Sequence, residues 1–125
     1  MRTAITPPNS APPSAPYSPA IVENGFIFVS GQGPLDPQTG VYTPSDIVTE
    51  TKQVLDNIKS ILEAAGSSMN KVTKVNVYLR SIGDFAAMNE VYATYFSPPS
   101  PARTTIQAGA LPRNFAVEIE CTAAP

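Results

Sequence analysis

The sequence predicts a single α+β domain in which two helices cover one face of a mixed β-sheet. Two segments, Val72–Leu79 and residues 116–121, alternate polar and apolar side chains as strands do, and residues 45–65 carry apolar side chains at helical spacing. Predicted helices and strands are interleaved along the chain, which favours one layer of each packed together. With 125 residues, the chain is long enough for one core and too short for a second domain.

Residues 1–16 are expected to form a proline-rich arm on the surface. Six of the fourteen prolines lie within the first 19 residues, and this composition favours extended, polyproline-like chain over a helix or a central strand. Pro16 fixes its own φ and Pro19 restricts Ser18, so Tyr17 is held in an extended segment. Tyr17 then either packs over the edge of the sheet or lines a ligand site.

A β-hairpin is predicted at residues 20–29, because Asn24-Gly25 supplies the positive φ values of a tight turn between two apolar runs. The second run ends at Ser30-Gly31. Glycine there permits a ligand to approach the backbone closely and exposes main-chain N–H donors. The segment is neither a Walker A loop nor a GxGxxG loop, so it indicates a ligand site only weakly by itself.

The first helix is predicted at residues 45–65, with Ser45 as the N-cap and Gly66 at the C-terminal cap. Its apolar side chains form one stripe that we expect to pack on the sheet: Ile47, Val54, Leu55, Ile58, Ile61, Leu62 and Ala65. A long central strand follows at Val72–Leu79. The second helix is predicted to run from Asp84, as its cap, to Phe96, where a segment with three prolines ends it.

Composition excludes many kinds of catalytic site. The chain has no histidine and one cysteine, Cys121, so it has no histidine-based triad, Cys-His dyad or histidine zinc site. We expect Cys121 to be a small buried hydrophobe, and the absence of an intrachain disulfide makes the cytoplasm the default location. A net charge of −2 with eight dispersed Lys and Arg disfavours nucleic-acid binding. No apolar run approaches the ~20 residues of a membrane helix.

The last two predicted strands carry the residue types that remain for catalysis. Alternation places Arg103 and Thr105 on one face of the first strand, and Glu118 and Glu120 on one face of the second. If these faces coincide in one sheet, Arg103, which can bind a carboxylate, and Glu118, which can transfer a proton, share a pocket. A cross-strand Arg103–Glu118 ion pair on a solvated face explains the pattern equally. The repulsion between two carboxylates on one strand face is harder to reconcile with that alternative.

In order along the chain, these segments resemble the RidA (YjgF) family of small reactive-intermediate deaminases, from about residue 16 to residue 123. The resemblance is carried by several pieces together: Pro16-Tyr17-Ser18, Phe28-Val29-Ser30-Gly31-Gln32, Gln53-Val54-Leu55-Asp56-Asn57-Ile58, Met88-Asn89-Glu90-Val91-Tyr92, Pro101-Ala102-Arg103 and Val117-Glu118-Ile119-Glu120.

The resemblance implies a chorismate-mutase-like fold assembled as a homotrimer, with the sheets facing the three-fold axis and ligand clefts between subunits. It also implies the hydrolysis of 2-imino (enamine) acids to 2-keto acids and ammonia without a metal or a cofactor. Such imino acids are the unstable products of pyridoxal-phosphate dehydratases acting on serine or threonine.

On the family pattern, Arg103 binds the substrate carboxylate, Glu118 positions and activates water, and Tyr17 belongs to the catalytic site. The pattern implies further substrate contacts from Thr105, Ser30, Gly31, Asn89 and Glu120. Thr105 stands where many members carry a cysteine, so thiol chemistry at that position is not expected.

Three other functions are compatible with parts of the pattern. A trimer that binds small carboxylates, or acts as a chaperone, would keep the arginine without turning substrate over. A deaminase of one specialised pathway would act on an aminomuconate-like intermediate. RNA cleavage, attributed to some relatives, is disfavoured by the acidic pI of about 4.9 and the absence of histidine.

Overall fold

A computed structural model describes all 125 residues and confirms the α+β prediction: two α-helices pack on one face of a six-stranded sheet. The elements are β1 (Thr3–Ile5), β2 (Ala20–Glu23), β3 (Phe26–Gln32), α1 (Ile47–Ala64), β4 (Val72–Leu79), α2 (Phe85–Tyr92), β5 (Ala102–Gln107) and β6 (Val117–Ala123). The strand order is β1-β2-β3-β6-β4-β5. Only β4 and β5 are parallel, so the sheet is mixed.

The core lies between the two helices and the face of the sheet that they cover. The predicted stripe on α1 is confirmed, with Val54, Leu55, Ile58, Ile61 and Leu62 buried against the sheet. Three polar residues of α1 are buried beside them: Glu50, Thr51 and Asn57. Apolar spacing alone does not reveal such residues, because each is polar and is tolerated inside only through specific contacts.

Both helices differ from the sequence prediction at one end. Asp46, not Ser45, is the N-cap of α1, because its Oδ1 accepts a hydrogen bond of 2.7 Å from the Thr49 N–H. These backbone and side-chain contacts with Thr49 lower the pKa of Asp46. The predicted C-terminal cap is confirmed, since Gly66 has φ +77° and the Ser67 N–H donates back to the Leu62 carbonyl at 2.8 Å.

The second helix is shorter than predicted and ends at Tyr92. Asp84 occupies its N-cap position, but the carboxylate makes no capping hydrogen bond. After Tyr92 the chain tightens into turns: the Thr94 N–H donates to the Val91 carbonyl and the Tyr95 N–H to the Tyr92 carbonyl, both at 3.0 Å. These bonds span three residues instead of four, which is how helix ends commonly tighten before a proline-rich segment.

The N-terminal arm contains a strand that composition did not predict. Residues Thr3–Ile5 precede the first proline and pair antiparallel with β2 at the edge of the sheet. The Met1 ammonium group lies 3.2 Å from Glu23 Oε1 beside this pairing. Residues 7–19 then pass over α1 and the loop at 33–40 and form one wall of an open cavity of about 270 Å³. The arm is therefore part of the sheet and of a cavity wall as well as a surface segment.

The two faces of the sheet have different surroundings. The helix face holds the core, whereas the opposite face, called the open face below, has no element packed on it. The open face exposes the large apolar side chains of Phe26, Phe28 and Ile106, which pair across strands with other residues of that face. No helix combines the length and the apolar character that crossing a membrane would require.

Candidate functional site

Arg103 lies on the edge strand β5 and points to the helix face. It pairs with Val75 of β4, which is fully buried under the helices. Its Nη1 donates a hydrogen bond of 2.7 Å to Oδ1 of Asn89 on α2. The guanidinium carbon Cζ lies 4.7 Å from the ring centroid of Tyr92 and 5.6 Å from that of Phe85. The structure thus holds the guanidinium against one face of α2.

No carboxylate of the chain neutralises Arg103. The only ion pair in the structure joins the Met1 ammonium group to Glu23. A guanidinium has five N–H donors in a planar fork, and Arg103 directs one hydrogen bond to a protein acceptor. Most of its donors are therefore available for a ligand, and a carboxylate is the partner that fits the fork in a bidentate manner.

Thr105 is two residues further along β5 and shares the helix face with Arg103, because it pairs with the buried Val77. Its hydroxyl oxygen is buried and has no hydrogen-bond partner. A buried hydroxyl without a partner is costly, so this group is suited to a ligand or a bound water molecule. We call Phe85, Asn89, Tyr92, Arg103 and Thr105 the arginine cluster.

Glu118 lies on β6 and points to the open face, where it pairs with Tyr78 of β4. It is partly buried, and its carboxylate lies against the backbone of Gly31: a Cβ on that glycine would be 2.6 Å from Oε2. Burial raises the pKa of Glu118, and the negative charge of Glu120 raises it further. A carboxylate that binds protons more readily than usual is suited to accept one from water.

Ser30 and Gly31 form an irregularity in β3, where the pairing with β6 shifts register between Val29 and Gln32. The Ser30 hydroxyl donates to the Ser18 carbonyl at 2.6 Å, and the Ser30 N–H donates to the Pro19 carbonyl at 3.0 Å. These bonds hold the segment that carries Tyr17 beside the irregular part of β3. The Tyr17 side chain is 51% exposed and borders the cavity under the arm. We call Tyr17, Ser30, Gly31 and Glu118 the glutamate cluster.

Glu120 has a partner within the chain, which sequence reasoning did not identify. The Tyr78 hydroxyl donates a hydrogen bond to Glu120 Oε1. The pKa of Tyr78 is raised to about 12, mainly by this hydrogen bond and next by burial. Tyr78 lies two residues from Asn76 on the same face of β4, and Asn76 pairs with Glu120. The contact therefore depends on cross-strand register, which no sequence motif reports.

The two clusters lie on opposite faces of the sheet within one chain. The expectation that the polar faces of the last two strands coincide is wrong, and so is the alternative of an Arg103–Glu118 ion pair. β4 lies between β5 and β6, and its register puts Arg103 beside Val75 and Glu118 beside Tyr78. Arg103 and Glu118 are three residues apart along the strand direction and two strand spacings apart across the sheet. Each of these separations is about 10 Å.

Two other groups have structural roles. Glu50 is 2% exposed and accepts three hydrogen bonds of 2.9 Å, from the Tyr42 hydroxyl and from the Ser45 and Ala116 N–H groups. These contacts hold the start of α1 against the loop that leads into β6. Cys121 is buried, as predicted, with 6% of its surface exposed. Its thiol pKa is raised to about 12, mainly by burial and to a smaller extent by the negative charge of Glu120.

Comparison with known proteins identifies the family. The family described as Endoribonuclease L-PSP matches residues 8–125. A RutC family protein of Pyrococcus horikoshii is 50% identical over 98% of this chain and 98% of its own length. The 2-iminobutanoate/2-iminopropanoate deaminase of Mus musculus is 42% identical over 98% of this chain and 91% of its own length. The crystal structure of E. coli TdcF with bound serine superposes with a TM-score of 0.90 at 31% identity, covering 98% of each chain.

This chain belongs to the RidA (YjgF) family. Named relatives of this RidA-family protein are imine deaminases, which supports the general assignment made from the sequence. In this RidA-family chain the residues that matched the family pattern form two separate clusters. Sequence reasoning named Arg103, Asn89, Thr105 and Glu118, and it did not find the contact of Tyr92 with the guanidinium.

Proposed function

We propose that the protein hydrolyses reactive 2-imino (enamine) acids to 2-keto acids and ammonia. The observation that carries this proposal is a guanidinium held at the sheet edge by Asn89 and Tyr92 with no carboxylate partner in its own chain. An arginine kept in this state is suited to receive the carboxylate of a ligand. Membership of the RidA family and relatives named as imine deaminases support this choice of substrate.

We propose that the working site is formed between two subunits of a homotrimer. In one chain Arg103 and Glu118 cannot reach the same small molecule, because the sheet lies between them. The edge strand β5 of one subunit, placed against the β3–β6 region of the next, would bring the two clusters together. The exposed apolar residues of the open face, Phe26, Phe28 and Ile106, favour burial in such an assembly.

The proposed reaction uses the two clusters in different roles. Arg103 binds the substrate carboxylate through two charge-assisted hydrogen bonds, each contributing about 1.5 to 3 kcal/mol, and so fixes the adjacent C2. The Gly31 backbone lies beside the Glu118 carboxylate, and any side chain at this position would press on that carboxylate. Thr105 supplies a buried hydroxyl without a partner, available to the substrate.

Glu118 acts as the general base. It takes a proton from water as the oxygen forms a bond to C2 of the protonated imine, which gives a carbinolamine. Glu118 then returns the proton to the nitrogen, and the C2–N bond breaks with its electron pair leaving on nitrogen as ammonia. The Glu118 carboxylate takes the hydroxyl proton, which yields the keto acid, and the departing ammonia carries this proton away as ammonium. Water is the only co-reactant, and the general base contributes about 10² to 10⁴ in rate.

The relative crystallised with serine supports a site for small α-substituted carboxylic acids. The imino acids formed when serine or threonine is dehydrated have the same carboxylate next to a nitrogen-bearing carbon. We therefore propose 2-iminopropanoate, which is the imine form of 2-aminoacrylate, and 2-iminobutanoate as substrates.

The test measures keto-acid release from freshly generated 2-iminobutanoate, with and without the protein. Arg103→Ala is expected to lower kcat/KM by about 10²- to 10⁴-fold, which is the loss of two charge-assisted hydrogen bonds. Arg2→Ala removes a cation from the exposed arm and serves as the matched control, with wild-type activity expected. Equal release with and without protein would refute the deaminase, and saturable keto-acid binding without turnover would support a binding protein instead.

A further inference from the structure

One face of α2 forms the surface on which the Arg103 guanidinium rests. Phe85, Asn89 and Tyr92 are spaced four and three residues apart, so they share a face of the helix. All three contact the guanidinium, Asn89 by a hydrogen bond of 2.7 Å and the two rings at 4.7 and 5.6 Å. The helix therefore supports the arginine from one side along its whole planar group.

The contact with Tyr92 is the closer and better shielded of the two ring contacts. Tyr92 is 7% exposed, whereas Phe85 is 41% exposed. Cation–π attraction operates within about 6 Å of the ring centroid and strengthens when water is excluded. Burial raises the pKa of the Tyr92 hydroxyl more than the charge of Arg103 lowers it, so the ring stays neutral beneath the cation.

The position of the Tyr92 ring is itself fixed. Its centroid lies 4.7 Å from that of Phe96, and Tyr92 belongs to the buried core cluster. Its hydroxyl oxygen is buried without a hydrogen-bond partner, so the hydroxyl adds no hydrogen bond within the chain. The ring face is therefore the part of Tyr92 that acts on Arg103.

A free arginine on an edge strand would lose side-chain entropy each time it bound a ligand. Arginine side chains carry about 2 kcal/mol of rotamer entropy. Contacts that order the guanidinium during folding reduce the part of this cost that falls on ligand binding. One donor of the guanidinium is bonded to Asn89, and the others have no acceptor within the chain.

We propose that Tyr92 is a positioning residue for carboxylate binding, whose ring face holds the Arg103 guanidinium in the orientation that receives the ligand. The inference rests on the proposed function only in taking the ligand to be a small 2-keto or 2-imino acid. Tyr92 makes no contact with the reacting carbon, and it acts through Arg103.

The test compares Tyr92→Phe, Tyr92→Leu and the control Val91→Ala by calorimetric titration with 2-ketobutyrate and by deaminase kinetics. Tyr92→Phe keeps the ring and should bind within about twofold of wild type. Tyr92→Leu should weaken binding about 2- to 30-fold, equivalent to 0.5 to 2 kcal/mol of cation–π attraction, with KM raised and kcat nearly unchanged. Val91→Ala truncates a buried core side chain on the same helix that has no hydrogen bond or cation–π contact with Arg103, and it should leave affinity near wild type.

A second readout does not depend on the ligand. In ¹⁵N-labelled protein the Arg103 Nε–Hε resonance should be shifted by the Tyr92 ring current, and Tyr92→Leu should remove this shift while Tyr92→Phe keeps it. An unchanged resonance in Tyr92→Leu, or equal weakening by Val91→Ala, would overturn the inference. Absence of keto-acid binding by the wild-type protein would instead refute the proposed function, leaving the resonance to decide the role of Tyr92.

Discussion

Mixing two inactive variants tests whether Arg103 and Glu118 act from different subunits. Arg103→Ala keeps the glutamate cluster intact, and Glu118→Gln keeps the arginine cluster intact. Because the two side chains project from opposite faces of the sheet in one chain, each inactive subunit should supply what its neighbour lacks. We expect activity to reappear when subunits of the two variants are exchanged.

The size of the recovery follows from the geometry. A working site needs an ordered pair of neighbours, a Glu118→Gln subunit that provides Arg103 beside an Arg103→Ala subunit that provides Glu118. In an equal random mixture each position is filled correctly half of the time, so about one quarter of the sites in a closed ring are intact. Each variant alone should retain about 1% of wild-type activity or less, given the size of the lost interactions.

The assay is keto-acid release after joint refolding of the equal mixture, compared with each variant refolded alone. The matched control mixes wild type with the double variant Arg103→Ala/Glu118→Gln. A site shared between subunits leaves about one quarter of the sites intact in this control, whereas a site within one chain leaves about one half. Failure of the two single variants to complement, together with half activity in the control, would refute the shared site.

Two further perturbations probe the glutamate cluster. Gly31→Ala puts a Cβ 2.6 Å from Glu118 Oε2, so the flexible carboxylate should move. We expect kcat to fall by about 10²-fold or more while the melting temperature stays nearly unchanged. Full activity in Gly31→Ala would contradict the role of this contact. Glu120→Gln removes a negative charge that raises the pKa of Glu118, while the larger effect of burial remains. Because Glu118 must lose its proton to act as a base, the acid limb of the kcat/KM profile should move to lower pH in Glu120→Gln. The control Glu63→Gln, which removes an exposed charge, should leave the limb in place. An unmoved limb in Glu120→Gln would exclude electrostatic coupling between Glu120 and Glu118.

Much of the fold could be predicted from the sequence because local signals agreed with one another. The apolar stripe of α1, its Gly66 cap and the Asn24-Gly25 turn each specify structure within a few residues. The strand β1 could not be predicted in this way, since three residues next to a proline-rich segment carry no periodic signal. Its pairing with β2 depends on the hairpin edge that the rest of the fold provides.

The residue types of the candidate site were predictable, but their arrangement was not. Period-two alternation gives the relative faces of residues within one strand and says nothing about the faces of two strands relative to each other. That relation depends on β4 lying between β5 and β6, with parallel pairing on one side and antiparallel pairing on the other. Ile106 and Ile119 are each on the apolar side of their own strand, and they consequently lie on opposite faces of the sheet.

The separation of Arg103 from Glu118 has a chemical advantage for the proposed reaction. Side by side in one folded chain, the two would form an ion pair that occupies the guanidinium fork and favours the charged form of the carboxylate, making it a weaker base. Kept on opposite faces, Arg103 retains free donors and Glu118 retains a pKa raised by burial and by Glu120. In the proposed trimer the two groups would lie at opposite ends of a substrate, with the arginine at its carboxylate and the glutamate at the water that attacks C2.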